Sequence, residues 1–166
     1  YYWRAKATNS CGATTFSPTY AFQTGKGICN QTFNSTDLPQ EISNNSVDTI
    51  VSKINVPTNL AFSDVNVRVI AAHSWVGDLI ARVSSPSGKK ALLFDQVGVP
   101  SIDDFGCPGD NLDLRFDDES TFTAATLDTT CSSLNPALSG TYQPIQPLSG
   151  LQGKTAKGNW SLELID

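Results

Sequence analysis

The sequence holds no methionine, one histidine and only 11 Lys and Arg against 16 Asp and Glu in 166 residues. Each shortage excludes something. A net charge of −5 and a pI near 4.7 leave no Lys/Arg stripe to neutralise a nucleic-acid backbone. No apolar run approaches the roughly 18 residues of a membrane-spanning helix. His73, the one imidazole, cannot complete the usual zinc sets with four cysteines of which no pair has C-x-x-C spacing. No Gly-x-Ser-x-Gly elbow is present, so a nucleophilic triad would have to be assembled around His73 alone. His73 ends the face that carries Val65, Val67 and Val69, which predicts a partly buried strand residue instead of a base. The chain enters in mid-pattern at Tyr1-Tyr2-Trp3 without a Met or a signal peptide, and reads as a piece excised from a longer protein.

What is present is β-pattern. Leu79–Val83 and Ala91–Phe94 flank Ser84-Ser85-Pro86-Ser87-Gly88. Pro presets φ for the first corner of a turn and Gly accepts the positive φ that follows, so the segment predicts strand, turn, strand. Gly77-Asp78 marks a turn just before it. Asp48–Val56 runs as a strand and stops at Pro57. Phe62–Ala72 sets three valines on one face, and Asn111–Phe116 and Asn159–Leu164 alternate cleanly. Many short strands and no sustained helical period predict an all-β sandwich or jelly roll. Residues 1–24 read as a separate β-hairpin, turning at Asn9–Gly12 and returning at Thr19–Thr24, with residues 25–28 as linker and 29–166 as one domain. A two-stranded hairpin is not stable alone.

Four cysteines allow three connectivities. Cys107–Cys131 is the favoured pair, because it staples a turn-rich, strand-poor segment; closing a loop of that size is worth ~3 kcal/mol in the chain-entropy model. Cys11 and Cys29 lie near the boundary and either pair or stay free. Disulfides place a protein outside the cytoplasm. Sequons at Asn30, Asn34, Asn44 and Asn159 matter only in a source that glycosylates secreted proteins.

The string HSWVGDLIARVSSPSGKKALLF, His73–Phe94, resembles the P domain (Homo B domain) that follows the catalytic domain of furin- and kexin-like proprotein convertases and of many secreted bacterial peptidases. The opening CNQTFNSTDLPQEI resembles it too. So does the ending, with Pro147-Leu148-Ser149, Gly153 and Gly158-Asn159-Trp160-Ser161-Leu162-Glu163-Leu164. The resemblance covers about Cys29–Asp166 and implies a jelly-roll β-sandwich related to galactose-binding-like modules. Members normally continue past this Asp with one more strand; without it a neighbouring strand is left as an edge. Residues 1–24 resemble the last two strands of a fibronectin type III domain, as in YYWRAKATN and SPTYAFQT. No subtilisin-like Asp/His/Ser motif set accompanies these strings.

Eight acids crowd between Asp95 and Glu119 against a single Arg115. Packing carboxylates so densely costs repulsion unless a cation or backbone donors offset it. Calcium takes six to eight oxygens, which Asp, Asn and loop carbonyls supply. Asp110, Asp113, Asp117 and Asp118 are the expected ligands, with Asp78 of the Gly77-Asp78 turn as a fifth. The spacing is not that of an EF-hand. Bacterial P domains with a GDNLDxxFDDE-like string imply calcium as well. The alternative is a solvated loop that uses Asp as a turn former. Trp75 beside His73 is a candidate sugar platform, whereas Trp160 alternates with Leu162 and Leu164 and belongs to a core. Carboxylates are plentiful, but nothing marks a pair held at glycosidase separation.

The expectation is therefore a non-catalytic, secreted accessory domain and a monomer. The resemblance implies a parent peptidase, serine-type and subtilisin- or convertase-like, or a metallopeptidase, whose catalytic domain is the partner. The alternative is an extracellular module that binds a protein or glycan surface.

Overall fold

The computed structural model describes residues 31–42, 49–59, 61–152 and 155–166 in full, and the backbone of four short strands before them. The chain divides into two compact units, Tyr1–Thr32 and Phe33–Asp166. In the first, β1 (Tyr2–Trp3) pairs antiparallel with β4 (Tyr20–Ala21), and β2 (Lys6–Asn9) with β3 (Gly12–Phe16). β4 lies within the expected return Thr19–Thr24, and β3 pairs back earlier, with Asn9 facing Gly12 across the ladder. Cys11, Cys29, Asn30, Asn44 and the 25–28 linker lie outside the described residues.

Among its described residues the second unit has seven strands in two sheets. β5 (Thr49–Val56), β11 (Gly158–Ile165), β7 (Ile80–Ser84) and β8 (Lys90–Asp95) form one antiparallel sheet in the order β5-β11-β7-β8. β10 (Leu138–Tyr142), β9 (Leu112–Phe116) and β6 (Val67–Ala71) form the other in the order β10-β9-β6. The period of two fixes which face is buried. In β9, Leu112, Leu114 and Phe116 are buried while Arg115 is exposed. In β11, Trp160 and Leu164 turn inward, set opposite Ile54 and Ile50 of β5. The inward faces merge into one core, in which Phe94, Phe116, Leu93, Leu112, Leu114 and Leu138 have at most 2 % exposure. Each such side chain contributes roughly 1.5–3 kcal/mol of burial free energy. The expected all-β architecture is what the chain forms.

The turn between β7 and β8 follows its residues. Gly88 takes φ 82° and donates to the Ser85 carbonyl at 2.9 Å. β9 and β10 run parallel, Leu112 beside Leu138 and Phe116 beside Tyr142. Parallel neighbours need a crossover, here residues 117–137, which include one helical turn, α1 (Ala124–Leu127), capped by the Thr123 hydroxyl. The Cys107–Cys131 disulfide, Cα atoms 5.6 Å apart, ties this crossover to the loop that enters β9. A third loop closes on the same place. Val76 and Gly77 donate to the Gly109 and Cys107 carbonyls at 3.1 and 3.0 Å. Gly77 has to be glycine there: a Cβ would run into the backbone of Gly106 and Cys107.

Candidate functional site

The acidic stretch is distributed over several local tasks. Asp113 projects from the outer face of β9 and receives Nε and Nη2 of Arg68, on the neighbouring β6, at 2.8 and 2.7 Å. The guanidinium holds its carboxyl below the usual range. Asp117 sits 3.5 Å from Arg115 and accepts the Glu119 amide at 3.0 Å. That neighbouring carboxylate, with desolvation and the charge of Asp64, pushes Glu119 up. Asp118 accepts the amides of Leu148 and Ser149, both at 2.8 Å, at the start of the 3-10 turn Leu148–Leu151. Charge crowding is thus offset by arginines and backbone N–H groups, the physical alternative to a cation.

Of the five expected calcium ligands, Asp113, Asp117 and Asp118 are engaged in this way. The Asp78 and Asp110 side chains accept no hydrogen bond from a described residue. Asp78 closes the 3-10 turn Val76–Asp78 and Asp110 precedes β9. Among the described residues no group of three or more His, Cys, Asp or Glu is placed to hold a metal ion.

His73 follows β6, and 10 % of its side chain is exposed. Nδ1 lies 2.9 Å from the Trp75 carbonyl and 3.2 Å from its amide, and Nε2 faces Asp166 at 3.4 Å. Its backbone amide donates to Asn111 Oδ1 at 3.0 Å, and its carbonyl accepts from the Asn111 amide at 2.8 Å. Asn111 adopts φ 64°, a conformation Asn tolerates better than most residues. Its Nδ2 donates to Asn135 at 2.8 Å. The imidazole therefore belongs to a brace between the end of β6, the entry to β9 and the end of β11. A groove of about 1050 Å³ opens beside it, lined by Ile50, Val69, Ile70, Leu162 and Leu164 with His73 and Asp110.

Two features lie outside what strand patterns signal. Asp37 accepts from the hydroxyls of Ser35 and Ser52 and from the Lys53 amide, which lowers its pKa from the usual 3.8 to about 2. That carboxylate clasps the segment before β5 onto β5 itself. The second is aromatic: Trp75, 37 % exposed, donates its indole N–H to the Phe105 carbonyl at 2.8 Å, and Phe105 is 71 % exposed. The Asp103-Asp104-Phe105 string carries no period from which this contact across thirty residues follows. Trp160, by contrast, is buried and meets Phe62 edge-on at 5.8 Å.

No protein-family model, curated protein or solved structure matches this chain.

Proposed function

We propose that this chain is a non-catalytic accessory domain of the P-domain type, part of a secreted peptidase, and that it supports the stability or substrate contact of its parent. The observation that carries the non-catalytic reading is the setting of His73. Its ring nitrogens face Trp75 and Asp166, and among the described residues no Ser, Thr or Cys is hydrogen-bonded to it. A nucleophile needs its base within hydrogen-bond reach. The parent's identity rests on the sequence resemblance, carried by the string that forms β7, its turn and β8. The Cys107–Cys131 disulfide is compatible with an extracellular location. Among the described residues no helix is long and apolar enough to cross a membrane.

The test is deletion of residues 33–166 from the full parent chain. The expected result is loss of secreted, active peptidase or a large fall in its thermal half-life. A parent without peptidase activity, or one indifferent to the deletion, overturns the proposal. A second reading, a surface-binding module, is favoured by the exposed aromatic pair Trp75 and Phe105.

A further inference from the structure

Trp75 and Phe105, both exposed, are joined through the indole N–H and the Phe105 carbonyl. Ile102, 40 % exposed, stands in the same loop as Phe105. The loop is fixed at many points. Ile102 donates to Gly98 at 2.7 Å, Phe105 to the Asp103 carboxylate at 3.0 Å, Gly106 to the Asp103 carbonyl at 3.1 Å and Cys107 to Val97 at 2.9 Å. The disulfide follows at Cys107, and the indole N–H anchors the loop from the Trp75 side. An exposed aromatic on a preorganised loop has little left to lose in conformational entropy when it is covered, which is the condition for a binding hot spot.

The chain segments that carry these residues bear charge of one sign. Asp103 and Asp104 sit on the loop between Ile102 and Phe105, both exposed, and Asp78 is in the turn that Trp75 begins. From Ala91 to Leu114 the chain has five Asp and no Lys or Arg, and from Val69 to Ala81 it has Asp78 and again no Lys or Arg. Asp104 makes no hydrogen bond or ion pair with any described residue. Exposed aromatic faces beside unpaired carboxylates fit a guanidinium: it stacks on the ring, lays its aliphatic stem on the apolar surface and places its charge against the acids.

We propose that the Trp75–Ile102–Phe105 face docks a partner-protein segment that carries Arg between apolar residues, the guanidinium stacking on Phe105 and pairing with Asp104. The inference rests on this face alone and stands whether or not the parent is a peptidase.

The test uses the whole 166-residue chain. A fluorescein-labelled peptide Ala-Leu-Arg-Arg-Leu-Ala is titrated by anisotropy to about 1 mM protein, the weak end of specific binding. The same peptide with citrulline for both arginines keeps the shape and removes the charge. Saturable binding is expected, weakened about tenfold by citrulline and about tenfold by Phe105→Ala or Asp104→Lys. Phe105→Ala is expected to keep the wild-type Tm, since the ring is mostly exposed. Phe122→Ala, a change at an exposed aromatic elsewhere (56 % exposed), is expected to leave binding unchanged. Absence of saturable binding overturns the proposal. Equal affinity for the citrulline peptide, or an equal loss with Phe122→Ala, does so as well. Saturable binding of cellohexaose that Phe105→Ala abolishes, with no peptide binding, assigns the face to glycan instead.

Discussion

Phe94 of β8 and Phe116 of β9 stack across the two sheets, ring centroids 5.8 Å apart and planes inclined by 24°. Both are essentially excluded from solvent. They join a hairpin strand of one sheet to the central strand of the other, so the pair is a direct link between layers. Truncation of either to Ala is expected to destabilise the second unit by about 3–5 kcal/mol, from lost transfer free energy plus a cavity. The double variant should lose less than the sum, because the two rings share one contact. Denaturant melts of the four proteins check this, and strict additivity would mean that the rings do not act together.

The disulfide supplies a second measure. It closes a loop spanning 24 residues and holds the crossover from β9 to β10 against the entry to β9. Cys107→Ser with Cys131→Ser is expected to cost ~3 kcal/mol, which for a unit of this size lowers Tm by about 10 °C. Calorimetry of the double variant reads the shift. A change below about 2 °C would mean that the crossover is held by packing alone.

Asp37 makes the acid side of the stability profile predictable. Its carboxylate, pulled down to about 2 from 3.8 by Ser35, Ser52 and the Lys53 amide, is favoured in the charged form by folding. A depressed folded pKa contributes stability that is present above the unfolded value and is lost as pH falls through the folded one. The contribution is therefore in place above pH 4 and disappears toward pH 2. Asp37→Asn should lower Tm at pH 5 to 7 and converge on the wild type near pH 2. A gap that stays constant with pH assigns the effect to shape instead of charge.

Much of this fold was legible in the sequence, and the parts that were not share a physical cause. Alternation in Asn111–Phe116 and Asn159–Leu164, and the Pro86-Ser87-Gly88 turn, are local signals, and the strands β9, β11, β7 and β8 follow them. The Cys107–Cys131 pairing was the expected one and is present. β10 was not expected: Leu-Ser-Gly-Thr-Tyr has weak alternation, Gly140 takes φ 125°, and its parallel partner lies across a long crossover. The partners of the acids were hidden for the same reason. Asp113 meets Arg68 45 residues away in sequence, and Asp118 meets Leu148 30 away, so the donors that offset the acidic string carry no local signal. Phe105 had no periodicity to mark it.

Those donors yield a prediction about calcium. Arg68, Arg115 and the amides of Glu119, Leu148 and Ser149 already neutralise or cap Asp113, Asp117 and Asp118. EDTA is therefore expected to leave Tm within about 1 °C, since a ligand that binds only the native state must raise Tm by mass action. A rise of several degrees on adding calcium, lost in Asp78→Asn or Asp110→Asn, would show that these two acids hold the ion with backbone oxygens.

The central claim, that the chain is a non-catalytic module whose one imidazole is structural, is tested most directly by hydrolysis of fluorogenic casein by the purified 166-residue protein. Wild type and His73→Ala are assayed side by side. The predicted result is no turnover above buffer in either, with a lower Tm in the variant because the brace to Trp75 and Asp166 is gone. Turnover by the wild type that His73→Ala abolishes would contradict the account.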